Sequence, residues 1–452
     1  DGREYGYFDS DSSVERTVKP AKNGNTVVST IDVTLQNIVE KCILEFNSAH
    51  AADGNPGSKN TAVIIMNPNT GEILAEASYP NFDLNDPRNL SLLYTKEQWD
   101  AMSEEDQVEA MNDLWRNFCV SDAYEPGSTA KPFTVAAGLE TGTLTGNESY
   151  YCGGSKDVLG TKISCHYKSG HGQETIQDAI ANSCNVALMD MAAVIGPENF
   201  TKYQHIFGFG EYTGIDLPGE AETSGLLYTA DTMKPVDLAT SSFGQTYNCT
   251  MVQMAAAFSS VINGGSYYEP HVVRQIVNEQ GAVVKKIEPK LVRETVSEST
   301  SSFIRDALYR TVAEGTGKAA AVPGYKIGGK TGTAEKLPRS ARNYLLSFCG
   351  FAPTDDPQVL VYVVVDVPHV EDQPHSTYAS VISQKIMSDI LPYLNIFPDT
   401  DIQVDQEAAE KLPESEGITD MTGTETQEEP EESKVYDLSL IHISEPTRLA
   451  LI

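Results

Sequence analysis

An α+β fold with five strands is what this sequence predicts, and three observations predict it. Five runs that read as strands fall in two groups, 62–66 and 73–77 near one end, then 325–335, 345–351 and 359–367 near the other. Helical periodicity flanks both groups, over 32–46 and 378–391. The stretch between them, 80–320, reads as mostly helical. Strands drawn from both ends of the chain make one side of a cleft, and the helical stretch makes the other.

Taken in order, Asp32 can cap a helix whose apolar face is Leu35, Ile38, Val39, Cys42, Ile43 and Phe46. The run 62–66 and the run 73–77 flank Asn67-Pro68-Asn69-Thr70-Gly71, which reads as a hairpin turn. Pro126-Gly127 interrupts the chain before an apolar run at 133–139 that can be helical. Two more helical stretches follow, 175–181 and 186–194. The run 325–335 reads as a strand despite its glycines, and 359–365 is apolar throughout, as a strand buried on both faces is. It is far shorter than the roughly 20 apolar residues of a membrane span.

Three short motifs stand in one order along these elements: Ser128-Thr129-Ala130-Lys131, Ser183-Cys184-Asn185 and Lys330-Thr331-Gly332-Thr333. They read S-x-x-K, S-x-N and K-T-G. S-x-N also fits Ser58-Lys59-Asn60, beside the polar Gly54-Asn55-Pro56-Gly57, and that copy reads as a loop coincidence. A serine hydroxyl is a poor nucleophile until a base takes its proton. Lys131, three residues on and on the same helical face, can be that base only if burial, a nearby cation or the positive helix end lowers its pKa. Alone, the segment equally suits a capping serine and a solvated lysine. Ser183 and Asn185 fall between two helices, where a kink aims both into a cleft, and where both would also serve as caps. Lys330 offers a fixed charge, Thr331 and Thr333 offer hydroxyls, and Gly332 allows close approach, so together they suit a carboxylate. Backbone N–H groups of Ser128 and Thr333 are candidate oxyanion donors.

The ordered triple resembles that of penicillin-binding proteins and class A β-lactamases. With Tyr124-Glu125-Pro126-Gly127 before it, and with Gly214-Ile215-Asp216-Leu217-Pro218-Gly219-Glu220 and Ser242-Phe243-Gly244-Gln245, the chain resembles the transpeptidase domain of a class B penicillin-binding protein from about Gly24 to about Pro398. The resemblance implies the penicillin-recognising fold, in which the five strands form one antiparallel sheet flanked by helices beside a mainly helical subdomain. It implies peptidoglycan D,D-transpeptidation through a serine acyl-enzyme, with stem peptides as substrates and β-lactams as inhibitors. Ser128 becomes the nucleophile, Lys131 the general base, and Ser183 and Asn185 the second-motif groups. Lys330, Thr331, Gly332 and Thr333 bind substrate. No cofactor is implied. A membrane wall-polymerase partner and an outer-face location at the cell membrane are. Ala130 departs mildly from the family, where a bulkier apolar residue is common. A β-lactamase of class A would need an E-x-x-L-N loop, and none stands between Asn185 and Lys330. An antibiotic sensor would acylate without transfer.

The net charge of −32 argues against a nucleic-acid partner. Part of it is local: residues 399–437 hold 14 acidic and 2 basic residues and read as a disordered acidic tail. Residues 1–23 read as the end of a truncated N-terminal region and 24–398 as the transpeptidase domain. Residues 438–452 resemble translated sequencing-adapter DNA. The chain reads as a fragment that has lost its anchor. Seven cysteines leave at least one unpaired. Cys152 and Cys165 flank a hairpin over 151–166; they can stay free, form a disulfide, or join His171 and Cys184 on zinc. No metal is assigned among the site residues.

Overall fold

The computed structural model describes residues 3–8, 14–19, 23–52 and 55–398. The chain divides into two units, 1–404 and 405–452, and the described residues all belong to the first. Within 1–23 the described part is an antiparallel pair, Arg3–Phe8 with Val14–Lys19, and the last residue, Asn23. The acidic stretch 399–437 and the adapter-like 438–452 lie outside the described residues.

Helix α1 (Val33–Ala49) is capped as its sequence predicts: Asp32 Oδ1 accepts the N–H groups of Thr34 and Leu35 at 2.8 and 3.1 Å. Strands β1 (Ser58–Met66) and β2 (Ile73–Tyr79) form the first hairpin, turned at Gly71 with φ +79°. The short pair β3 (Ser149–Cys152) and β6 (Gly172–Thr175) encloses a hairpin of β4 (Ser155–Val158) and β5 (Thr161–Ser164). Between β2 and β3 lies α2 (Lys131–Glu140). After β6 come α3 (Ile176–Ala181), α4 (Asn185–Ile206), α5 (Met251–Ile262) and α6 (Glu298–Ala313). The chain then supplies β7 (Gly328–Glu335), β8 (Tyr344–Ala352), β9 (Val359–Pro368) and α7 (Thr377–Tyr393).

The main sheet runs β7-β8-β9-β1-β2, every pair antiparallel. Both faces are covered, which explains why 359–365 is apolar without alternation. Val63, Ile65, Val361, Val363 and Phe348 face α1 and α7, meeting Leu35, Ile43, Ile386 and Ile390. Ile64, Leu360, Tyr362 and Val364 face the opposite way, into a core with Val135, Leu188 and Phe258 of α2, α4 and α5. Strand β7 is an edge strand, so one side of its backbone is left open toward the helices.

Two expectations need correction. The stretch 80–320 is not simply helical. It holds β3–β6 and two further small pairings, Ser266–Tyr268 with Leu291–Glu294 and Val273–Val277 with Val283–Lys286, and Val273–Val277 also pairs with Thr26–Ser29 from outside the stretch. These strands are three to five residues long, too short to show a period. The Ser58 copy of S-x-N is no loop either. Ser58 begins β1, fully buried, with its hydroxyl bonded to Asn47 Oδ1 at 2.9 Å and to Thr61 Oγ1 at 2.8 Å. Its polarity serves strand packing. Among the described residues no helix is long and apolar enough to cross a membrane.

Candidate active site

Ser128 lies in a tight 3-10 turn, Gly127–Ala130, that runs straight into α2 at Lys131. The turn is pressed against β7. A Cβ on Gly127, where φ is +60°, would stand 2.7 Å from Thr333 O, and one on Gly332 would stand 2.2 Å from Ser347 Oγ and 3.2 Å from Pro126 O. Both positions require glycine for the turn and strand to meet. The Gly127 contact also orients Thr333. Its carbonyl points at the Ser128 turn, away from β8. In an antiparallel strand a residue's N–H and C=O point the same way, so the Thr333 N–H lies on the same open edge.

Lys131 is fully buried. Its ammonium donates to Ser183 O at 2.6 Å, Ser183 Oγ at 3.0 Å and Asn185 Oδ1 at 2.7 Å, which uses its three N–H bonds. Burial pulls its pKa from 10.5 down to about 8, against the upward pull of Cys165, Cys184 and Glu174. Loss of one proton leaves a lone pair toward which the Ser183 hydroxyl can turn its hydrogen.

Ser183 owes its place to a helix ending. Helix α3 closes with Ser183 N–H donating to Ile180 O at 3.1 Å and Cys184 N–H donating to Ala179 O at 2.8 Å. This double bond pattern needs a left-handed residue after the cap, usually glycine. Ser183 takes that position with φ +56°. A non-glycine residue there costs about 1–2 kcal/mol. The strained residue is the one whose hydroxyl meets Lys131, as stored strain at a functional position would have it. Cys184 then caps α4, accepting Ala187 N–H at 3.5 Å, and Asn185 opens the helix.

Lys330 on β7 is also fully buried, donating to Thr331 O and Oγ1 at 3.1 and 3.2 Å. Burial, and then the charge of Lys131, push its pKa well down. Thr331 shares a hydrogen with Thr316 Oγ1 at 2.9 Å, and Thr316 N–H donates to Ala181 O at 3.0 Å, so β7 and the end of α3 are tied together. Ser128 and Thr333 remain partly accessible. The structure thus brings Ser128, Lys131, Ser183 and Asn185 to the open edge of the strand bearing Lys330, Thr331, Gly332 and Thr333.

Other supports went unread in the sequence as parts of the site. Gly244 carries φ +85°, its carbonyl accepts Gly127 N–H at 2.8 Å, and a Cβ there would stand 1.9 Å from Gly127 O. The glycine of Ser242-Phe243-Gly244-Gln245 therefore buttresses the turn. Glu125 accepts Thr246 N–H at 2.8 Å and both its oxygens accept from Arg339 Nη2 at 3.1 and 3.0 Å. It clamps the approach to Ser128 onto the β7–β8 connection. The signal was present: Glu125 and Gly244 both lie in stretches that carried the family resemblance. No disulfide joins any of the seven cysteines. The ligand atoms of Cys152, Cys165, His171 and Cys184 lie within 4.8 Å of one another.

A family model described as "Penicillin binding protein transpeptidase domain" matches residues 61–392. Stage V sporulation protein D of Bacillus subtilis is 37% identical over 385 residues, covering 84% of this chain and 55% of that protein. The probable peptidoglycan D,D-transpeptidase PenA of Neisseria meningitidis is 30% identical over 392 residues, covering 84% of this chain and 59% of its own. The chain thus spans somewhat more than half the length of these curated relatives. Among solved structures, penicillin binding protein 3 of Mycobacterium tuberculosis complexed with ampicillin aligns with a TM-score of 0.70 and 26% identity, over 84% of this chain and 81% of that one. With the family model matching 61–392 and a relative 37% identical over most of the chain, the chain belongs to the penicillin-binding protein transpeptidase domain family.

Proposed function

We propose that this chain is the catalytic domain of a peptidoglycan D,D-transpeptidase that works through a Ser128 acyl-enzyme. The observation that carries the reading is the buried Lys131 ammonium, held by Ser183 and Asn185 beside the turn that bears Ser128. Neutral Lys131 takes the Ser128 hydroxyl proton as the oxygen attacks the penultimate D-Ala carbonyl of a stem peptide. The N–H groups of Ser128 and Thr333 hold the oxyanion. The tetrahedral intermediate collapses, the C–N bond breaks, and the proton passes from Lys131 through the Ser183 hydroxyl to the departing D-Ala amine. An amine from a second stem peptide then attacks the ester, gives up its proton along the same route and regenerates Ser128. Lys330, Thr331 and Thr333 bind the terminal carboxylate. Burial disfavours the Lys330 ammonium, so a carboxylate that pairs with it is favoured there.

β-Lactams, which present an acyl group and a carboxylate, acylate the same serine. The related penicillin binding protein 3 complexed with ampicillin supports β-lactam binding. We further assign the chain to the outer face of the cell membrane, with a wall-polymerase partner, by analogy with the family. The test is D-Ala release and cross-linking from a stem-peptide donor with an amine acceptor. Wild type is expected to do both and Ser128→Ala neither. Rapid multiple-turnover β-lactam hydrolysis without cross-linking would favour a lactamase, and acylation without transfer a sensor.

A further inference from the structure

We propose that Cys152, Cys165, His171 and Cys184 bind one zinc ion, and that this site braces the turn carrying Ser183 and Asn185. Their four ligand atoms already lie within 4.8 Å of one another, and Cys165 Sγ stands 3.8 Å from His171 Nδ1. Tetrahedral zinc, with bonds of about 2.3 Å to sulfur and 2.0–2.1 Å to nitrogen, sets ligand separations of about 3.4–3.8 Å. A small contraction completes the shell. Cys152, Cys165 and Cys184 are at most 2% exposed, which suits a closed structural site. Three sulfurs and an imidazole form a soft tetrahedral set that selects zinc over magnesium or calcium.

Three further features point to a cation. Glu174 is 3% exposed; its Oε1 accepts from Asn182 Nδ2 at 2.8 Å, while its buried Oε2 has no hydrogen-bond partner and lies 3.7 Å from His171 Nδ1. An unpartnered buried carboxylate oxygen is costly unless positive charge is near. The thiols also receive backbone donors, Asn185 N–H to Cys165 Sγ at 3.4 Å and Ala187 N–H to Cys184 Sγ at 3.5 Å. Such donors stabilise metal-bound thiolate. Finally, the loop between the ligands is folded too tightly for side chains at Gly154 and Gly170, whose Cβ atoms would stand 2.0 Å from Lys168 O and 2.3 Å from Cys152 O. A disulfide would use two of the three sulfurs and leave the third, the imidazole and Glu174 unmatched. One zinc ion matches all of them. Because Cys184 sits between Ser183 and Asn185, the metal ties β3, β5 and β6 to the second motif.

The inference goes beyond the transpeptidase reading, since metal content is measured whether or not the chain acylates. The full chain, purified without a histidine tag, is expected to carry one zinc per chain by elemental analysis. After zinc removal it should take up Co2+ with the spectrum of a tetrahedral thiolate site. Cys152→Ser and Cys184→Ser should fall to near-zero metal, while Cys42→Ser, a buried thiol on α1, keeps full zinc. If the cluster variants fail to fold, the Co2+ titration of wild type decides alone. Wild type without zinc that takes up no Co2+ would overturn the proposal, as would a Cys152–Cys165 disulfide in protein purified without reductant, or unchanged zinc in Cys184→Ser.

Discussion

Lys330 stands on a strand of a sheet buried on both faces, whereas Ser183 stands at the end of a helix only six residues long, beside strands of four residues. The first side of the site is positioned by cooperative packing. Residues 359–365 of β9 are all fully buried, and eight residue pairs join β7 to β8. The second side also backs onto a core, with Ile176, Ala179, Ile180 and Leu188 buried, but the turn that carries its motif is set by more than packing. It relies on particular bonds: a left-handed serine, a cysteine cap, a Thr316–Thr331 bridge and four convergent metal-type ligands. The contrast teaches that chemistry can be divided between a wall placed by sheet register and a turn placed by a few particular bonds between packed helices. Lys131 spans the two.

The largest effect on this comparison comes from removing that link. Lys131→Met should lower the penicillin acylation rate by about 10²–10⁴-fold, the usual weight of a general base, with the melting temperature as a check on folding. The pH profile should agree. The neutral amine is the active form and its pKa is about 8, so acylation rises about tenfold per pH unit below 8 and levels off above it. A flat profile between pH 6 and about 8 would break the assignment of Lys131 as base.

Next comes the wall placed by sheet register. Gly332→Ala puts a Cβ 2.2 Å from Ser347 Oγ and 3.1 Å from Thr129 Cγ2, between strand and nucleophile turn. Overpacking of this kind costs about 1–3 kcal/mol, and calorimetry should show it together with slower acylation. The smallest effect, and the sharpest for the turn, is a pair. Ser183→Ala and Ser183→Gly both lose the hydroxyl and should acylate about equally slowly. Ser183→Gly should be the more stable by about 1 kcal/mol, since only glycine removes the left-handed penalty. Equal melting temperatures would show that the φ of +56° carries no strain.

The sequence was most informative where chemistry and packing repeat a pattern. Four of the five strands were readable as largely apolar runs, while β7 and the eight motif residues were readable because three spaced signatures coincide. The convergence of Cys152, Cys165, His171 and Cys184 was open as one of three alternatives. Less was readable where a residue's role depends on distant partners. Glu125 meets Arg339 across 214 positions, and nothing local in either residue announces it. Ser183 in place of glycine at a helix end was visible only as a serine between helices, because serine suits a cap equally well. The short strands 149–152 and 172–175 carry no period, since their backbone is fixed by β3–β6 pairing and the glycines around it.

The central claim is that Ser128, activated across both sides by Lys131, is the acylated residue. Labelled penicillin followed by proteolysis and mass spectrometry tests it most directly. The account requires one adduct per chain, on the peptide containing Ser128, absent in Ser128→Ala. An adduct on any other residue, or labelling that survives Ser128→Ala, would contradict it.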